Sequence, residues 1–322
     1  MKQYSLYYIP FLFLFASSCN SSFSEIEPKD NNTLNQVVRD NFGLQFLATS
    51  LHKTGLSKTL MEAGPFTLLA SSDKAFKDAG YKDPAAVYME APSKLELISK
   101  YHILKTTVNI SEIKLGLNQP LETLLGSNVY LSGVVRGKDT ILTINGSRVL
   151  QADTKASNGV MQVIDRLLEP NAHKNIQDGL SGTPNLSLFY QALKSSGLID
   201  EFKANEKFTI FAPDNQAMRN AGYINLEKID QTPKQELKDL VEWHICKGQK
   251  FAQDYLLLLP EGKFQYEEKM LNGKILLVDL IRDWNNPSNF KGITISNLKS
   301  PLTKNDIITG TGIIHIIGRT FK

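Results

Sequence analysis

Phe66-Thr-Leu-Leu-Ala-Ser-Ser-Asp-Lys-Ala-Phe76 and Phe208-Thr-Ile-Phe-Ala-Pro-Asp-Asn-Gln-Ala-Met218 are one passage written twice, 142 positions apart. Each opens as a short apolar run rich in strand formers. Each then meets Ser72 or Asp214, whose side-chain oxygen can accept backbone N–H bonds and start a helix. Outward from this passage the offset of 142 holds without a gap from about Leu34 to His102. Leu44, Leu51, Gly55, Leu56, Ala79, Gly80 and Tyr81 recur as Leu186, Leu193, Gly197, Leu198, Ala221, Gly222 and Tyr223, and Tyr101-His102 falls on Trp243-His244. A period this long means tandem domains, because solenoid units are far shorter.

Further on the register slips. Asn158-Gly-Val-Met-Gln-Val-Ile164 matches Thr311-Gly-Ile-Ile-His-Ile-Ile317 at an offset of 153, so the second copy has gained eleven residues. The boundary between copies is expected near Glu169-Pro170, which gives domains over 33–170 and 171–322. At 322 residues, 42% apolar and 21% charged, the chain is long enough for two such cores.

Periodicity supplies the coarse order. Leu44, Leu47 and Leu51, like Leu186, Phe189 and Leu193, recur at helical spacing before a glycine. Leu237, Leu240, Val241, His244 and Ile245 follow i, i+3, i+4, i+7, i+8, and Leu95, Ile98, His102 and Ile103 follow the same pattern, which predicts both histidines on a buried helix face. Strands are expected at 128–135, 140–144 and 160–167, then at 274–281, 293–296 and 313–317. Helices early and strands late make each copy α+β.

Three segments together, the passage at 66–76, Tyr101-His102 and residues 158–165, resemble the signature of the fasciclin domain, and the second copy repeats them at 208–218, Trp243-His244 and 312–317. Ser71 stands where the family has proline, Trp243 where it has tyrosine and Thr311 where it has asparagine. The resemblance implies two tandem domains, each a two-sheet β wedge with helices along one edge. It also implies an extracellular adhesion or matrix-binding module without catalytic residues.

The N-terminus reads as an export signal over 1–18: Lys2, an apolar run from Tyr4 to Phe15 too short to span a bilayer, then Ala16, Ser17 and Ser18 before Cys19. Ala-Ser-Ser-Cys resembles the lipobox of bacterial lipoproteins, with Ala16 where leucine is usual, so Cys19 is the expected lipidation site. Polar residues 19–32 would form a flexible tether. This predicts a bacterial cell-envelope protein held to the membrane by its lipid, at the outer membrane. Cys246 is then left without an intrachain partner.

Thirty-six basic residues against 33 acidic, interspersed, leave no stripe for a phosphate backbone, and nucleic acid is not an expected partner. His102 and His244 read as core residues satisfying their ring N–H internally; with Tyr101 and Trp243 they form a structural motif. His52, His173 and His315 fall in unrelated segments, so neither a metal nor another cofactor is predicted. Ser72 reads as a helix cap rather than a nucleophile, since no Gly-x-Ser-x-Gly elbow surrounds it.

Candidate binding residues lie instead in 280–291, where most of the extra length is expected as a loop between strands. Trp284 and Phe290 stand there beside Asn285 and Asn286, aromatic faces with amides suited to a sugar or a protein. A non-enzymatic adhesion or binding protein with a protein, glycan or matrix ligand is the leading expectation. The alternative is an accessory subunit of an envelope glycan-uptake complex.

Overall fold

The structure is a computed structural model and describes residues 32–136, 139–171, 173–202, 206–260, 262–283, 286–295 and 300–321. The expected signal, Cys19 and the tether up to residue 31 lie outside the described residues, as do Trp284 and Asn285.

Each copy folds its strands in the same order. The first has β1 (Phe66–Ser71), β2 (Ile103–Leu104), β3 (Gln119–Glu122), β4 (Asn128–Arg136), β5 (Asp139–Ile144), β6 (Ser147–Ala156) and β7 (Gly159–Ile164), lying side by side as β2-β1-β7-β6-β5-β4-β3. The second has β8 (Phe208–Pro213), β9 (Ile245–Lys247), β10 (Gln265–Lys269), β11 (Ile275–Asp283), β12 (Asn286–Ile295), β13 (Ser300–Thr309) and β14 (Gly312–Ile317), in the order β9-β8-β14-β13-β12-β11-β10. β1 pairs with β7, and β8 with β14, in parallel. Strands so placed are covered on both faces, which is why β1 and β8 are mostly apolar and all six residues of each are buried, Thr67, Ser71 and Thr209 included.

The wedge is made at β6 and β13. β6 breaks register at Val149/Gln151 and Gln151/Thr154, β13 at Leu302/Lys304 and Lys304/Ile307. Asp153 and Asp306, at matching places in these bulges, have φ of 54° and 59°. Such bulges bend a strand and raise its twist, so β6 and β13 belong to both layers. Single bridges, Leu104 to Thr123 and Cys246 to Met270, join the layers at their other border.

Helices pack on the outer side of the β1–β7 layer. Leu44, Leu47 and Leu51 of the first copy bury against Leu68, Ala70 and Met161, while Leu69, Leu104, Val129, Leu131, Ile144 and Ile164 fill the wedge. The second copy repeats both clusters. Ser72 and Asp214 cap the next helix, accepting from Ala75 N at 3.2 Å and Ala217 N at 2.7 Å.

Three expectations need correction. The helices end at Tyr101 and Glu242, so His102 and His244 stand just past helix ends, not on a helix face. The segment 280–291 is not a loop: β11 and β12 run on into it, with Arg282 opposite Phe290 and Asp283 opposite Asn286. Most of the eleven extra residues also lie elsewhere. Cys246 to Met270 spans 24 positions where Leu104 to Thr123 spans 19, so five enter before β10, and Val278 to Ile295 spans 17 where Leu131 to Ile144 spans 13, so four enter the hairpin. A match of apolar residues cannot locate an insertion between the last aligned helix and the next aligned strand.

Candidate functional site

His102 and His244 are fully buried, and each ring holds two chain segments together. His102 Nδ1 donates to Ile98 O at 2.7 Å, and Nε2 accepts from Leu168 N at 3.1 Å. His244 Nδ1 donates to Leu240 O at 2.7 Å, and Nε2 accepts from Phe321 N at 2.9 Å, with the Phe321 ring stacked on the imidazole at 4.3 Å. Burial holds both pKa values down to about 4, against a smaller raising effect of the bonded carbonyl.

Ser71 Oγ lies 3.0 Å from His102 Nε2, the spacing of a nucleophile and its base. The hydroxyl is also 3.1 Å from Arg166 O, Nε2 already accepts from Leu168, and both side chains are out of solvent. In the second copy Pro213 occupies the same place in the strand. The pair serves as a strut between β1 and the chain leaving β7.

Tyr101 is fully buried, donates to Asn128 O at 2.9 Å and accepts from Asn145 Nδ2 at 2.9 Å. Its counterpart Trp243 packs edge-on against Phe321 under the Lys274 ammonium, 5.0 Å from the ring centre, and its Nε1 has no protein partner. Tyr101→Phe is therefore expected to leave Asn128 O and Asn145 Nδ2 unpaired in the first core, lowering stability by about 1–3 kcal/mol in urea titrations. A change below about 0.5 kcal/mol would show that this bond carries no weight.

Trp284 and Asn285 lie outside the described residues. Asn286 and Phe290 are placed by their backbones in β12, and their side chains fall outside the described ones.

The structure draws together residues that sequence reasoning missed, at the joint between the copies, which form one compact unit. The two bulge aspartates show how it arises. Asp153 accepts from Ile110 N, Ser111 N and Gln162 Nε2 at 2.7–3.0 Å, while Gln162 Oε1 accepts from Asp153 N and Gln162 Nε2 donates to Val108 O. In the second copy His315 takes the glutamine's place, accepting from Asp306 N at Nδ1 and donating from Nε2 to Lys250 O. An imidazole bonded so has no donor left for the carboxylate. Asp306 accepts from Ala252 N at 2.7 Å and, across the joint, from Arg166 Nη1 at 2.9 Å. Arg166 also donates to Gly146 O. A cleft of about 210 Å³ opens beside this pair, lined among others by Asn145, Glu169, His173 and Lys304.

A second contact lies alongside. Asn118 of the first copy donates through Nδ2 to Gln249 O at 2.7 Å and to Asp254 Oδ2 at 3.1 Å; Asp254 Oδ2 also accepts from Phe251 N at 2.9 Å. Tyr130 packs on Phe251, ring centres 6.3 Å apart. Asp254 begins the helix Asp254–Leu258, within the stretch from Cys246 to Met270 that holds the second copy's first five extra residues. Burial raises the Asp254 carboxyl from 3.8 to about 6 despite bonds from Phe251, Asn118 and Ser132, and the Asp306 charge adds to the rise.

Chemically this is a polar clamp between domains. Among the described residues no three His, Cys, Asp or Glu side chains are grouped to hold a metal, and no helix is long and apolar enough to cross a membrane. The signal that could have found the clamp is the one position in the repeated Asn/Thr-Gly segment where Gln162 becomes His315.

Comparison with known proteins places the repeat. The fasciclin domain matches residues 42–170 and again 184–321. The chain is 30% identical over 231 residues to transforming growth factor-beta-induced protein ig-h3 of Sus scrofa, covering 70% of this chain and 31% of that protein. It is 27% identical over 259 residues to periostin of Homo sapiens, covering 79% and 28%. The chain thus spans about a third or less of the length of these relatives. A solved FAS1 domain pair from the insect cell adhesion molecule fasciclin I aligns with a TM-score of 0.41 and 20% identity over 86% of this chain and 96% of that one. With both copies matched over most of their length, the chain belongs to the fasciclin domain family.

Proposed function

We propose that this chain is a non-enzymatic adhesion or binding protein of the bacterial cell envelope, anchored by lipid at Cys19 and recognising a protein, glycan or matrix ligand. The observation that carries the reading is the double fasciclin domain. It is supported by the use of His102, His244 and Ser71 as buried struts, each bonded within the fold, which leaves them no role in turnover. Trp284, Asn285, Asn286 and Phe290, within the stretch 280–291, are the proposed contact residues.

The test has two arms. Arrays of glycans and matrix proteins probed with residues 19–322 should return a ligand whose binding falls at least tenfold in Trp284→Ala, with unchanged thermal unfolding. Unchanged binding would remove Trp284 from the reading, and silence on every array would remove the binding function. Separately, growth with labelled fatty acid should mark the chain, and Cys19→Ala should abolish the mark; an unlabelled wild-type chain would overturn the anchor.

A further inference from the structure

Among the described residues Trp243 Nε1 is a buried donor without an acceptor, on a side chain only 8% exposed. Buried N–H groups are almost always paired, so an orphan of this kind marks a place where a further partner can be taken. Trp243 also lines a surface cleft of about 230 Å³, and Lys274 and Phe321, which meet the indole at its face and its edge, line the same cleft. Below the roughly 300–1,000 Å³ of drug-sized pockets, such a cleft admits about one sugar unit.

The helix Lys234–Glu242 supplies the acidic part of the lining. Glu236, Asp239, Leu240 and Trp243 follow i, i+3, i+4 and i+7, and Trp243 keeps right-handed helical angles just past the helix end, so the four share one face. Both carboxylates belong to exposed residues, and among the described residues neither is paired with a cation. Glu236 Oε1 accepts from the Tyr223 hydroxyl at 3.1 Å and Asp239 Oδ1 from Gln235 Nε2 at 2.8 Å, which leaves the second oxygen of each open. The first copy does not repeat this face. At the same offset of 142 it has Lys94, Leu97 and Tyr101: a cation held by Glu90 at 2.6 Å, an apolar side chain, and a phenol that both donates and accepts. The fold itself therefore does not require the second copy's set.

Charge selects the ligand. Two carboxylates against one ammonium oppose a carboxylate, sulfate or phosphate. The Lys274 ammonium, 5.0 Å from the indole centre, already stands where a ligand cation would stack, and it repels a second one. An uncharged ligand rich in hydroxyls meets every group: its O–H donates to the open carboxylate oxygens, its oxygens accept from Trp243 Nε1 and Lys274, and Tyr223, Leu240 and Phe321 give it apolar walls. We propose that this cleft binds a neutral saccharide, with Trp243 Nε1 donating to one of its oxygens and Glu236 and Asp239 accepting from its hydroxyls. The assignment rests on the glycan branch of the function proposed above and adds to it a site at residues other than Trp284.

The chain has two tryptophans, so ¹H–¹⁵N spectra of residues 19–322 hold two indole signals, told apart by Trp284→Phe. Titration with neutral oligomers of glucose, mannose and galactose should move the Trp243 signal with at least one of them. The same oligomers carrying carboxylate or sulfate, and oligolysine, should bind about tenfold more weakly or not at all. Asp239→Leu, at an exposed position, should weaken the neutral oligomer at least about tenfold with unchanged thermal unfolding, and Trp243→Phe, which keeps a ring and removes the N–H, about fivefold. A Trp243 signal that no neutral oligomer moves overturns the inference. If the Trp284 signal moves instead, the glycan reading stands without this site; if neither moves and the arrays stay silent, both fall. Tighter binding of oligolysine or of the acidic oligomers overturns the ligand class. Should Trp243→Phe fail to fold, unchanged binding in Asp239→Leu overturns the inference alone.

Discussion

Taking the chain from pH 7 to pH 4 should remove about 6 kcal/mol of stability through two side chains, His102 and His244, one in each copy. Both are fully buried, and burial brings each from 6.5 to about 4. The folded state therefore keeps both rings neutral while the unfolded chain protonates them below 6.5. The stability they contribute is whole above pH 6.5 and is lost as pH falls through 4, at about 3 kcal/mol per ring. Geometry gives the same answer as burial. A proton on Nε2 would face the N–H of Leu168 in one copy and of Phe321 in the other, donor against donor.

Asp254 acts with the opposite sign over the same range. Its raised carboxyl makes the folded state the stronger proton binder between 3.8 and about 6, offsetting about 3 kcal/mol of the loss on acidification. Urea titrations at pH 7, 5.5 and 4 measure the sum, and ¹⁵N spectra of the imidazoles separate the parts. Rings that remain neutral to pH 5 in the folded chain are expected; a ring that titrates near 6.5 would sink the account. The first copy, where nothing of this kind offsets His102, should therefore lose about 3 kcal/mol of the 5–15 that a domain of ordinary stability holds, while in the second copy His244 and Asp254 nearly cancel.

How much of this could be read from the sequence differs by residue. Phe66–Ser71 and Phe208–Pro213 were legible as strands because parallel strands covered on both faces are apolar at most positions, and their recurrence at one offset made the duplication visible. The histidines were legible as buried by their spacing. Their place just past the helix ends was not, because an i+7 position continues the apolar stripe whether or not the helix does. The joint was hidden for a different reason. Arg166, Asp306, Asn118 and Asp254 are charged or polar residues scattered through both copies, with no periodicity, and what unites them is a pair of register shifts and a five-residue gain. Single-residue exchange in a repeat carried the one available hint, since Gln162 and His315 make matching bonds to Val108 O and Lys250 O but only the glutamine also saturates its aspartate.

Gly312→Ala is expected to destabilise the second copy by about 3 kcal/mol or more, and Gly159→Ala the first copy alike. Each glycine begins the strand that pairs in parallel with the opening passage, Gly159 opposite Phe66 and Gly312 opposite Phe208. A methyl group there would stand 2.0 Å from Phe66 O and 1.9 Å from Phe208 O, well inside contact distance. Neither side can retreat, because Phe66 N donates to Asn158 O and Phe208 N to Thr311 O at 3.1 Å, and five further register pairs follow in each ladder. Gly222 is the control. It has φ 101° but open space where a methyl would go, so Gly222→Ala should cost only about 1 kcal/mol of backbone strain. Urea midpoints of the three variants against wild type decide the matter. If Gly312→Ala falls within about 1 kcal/mol of wild type, the parallel pair is not the rigid spine of the fold, and the two histidines that tie their helices to its outgoing chain would lose the frame they act on.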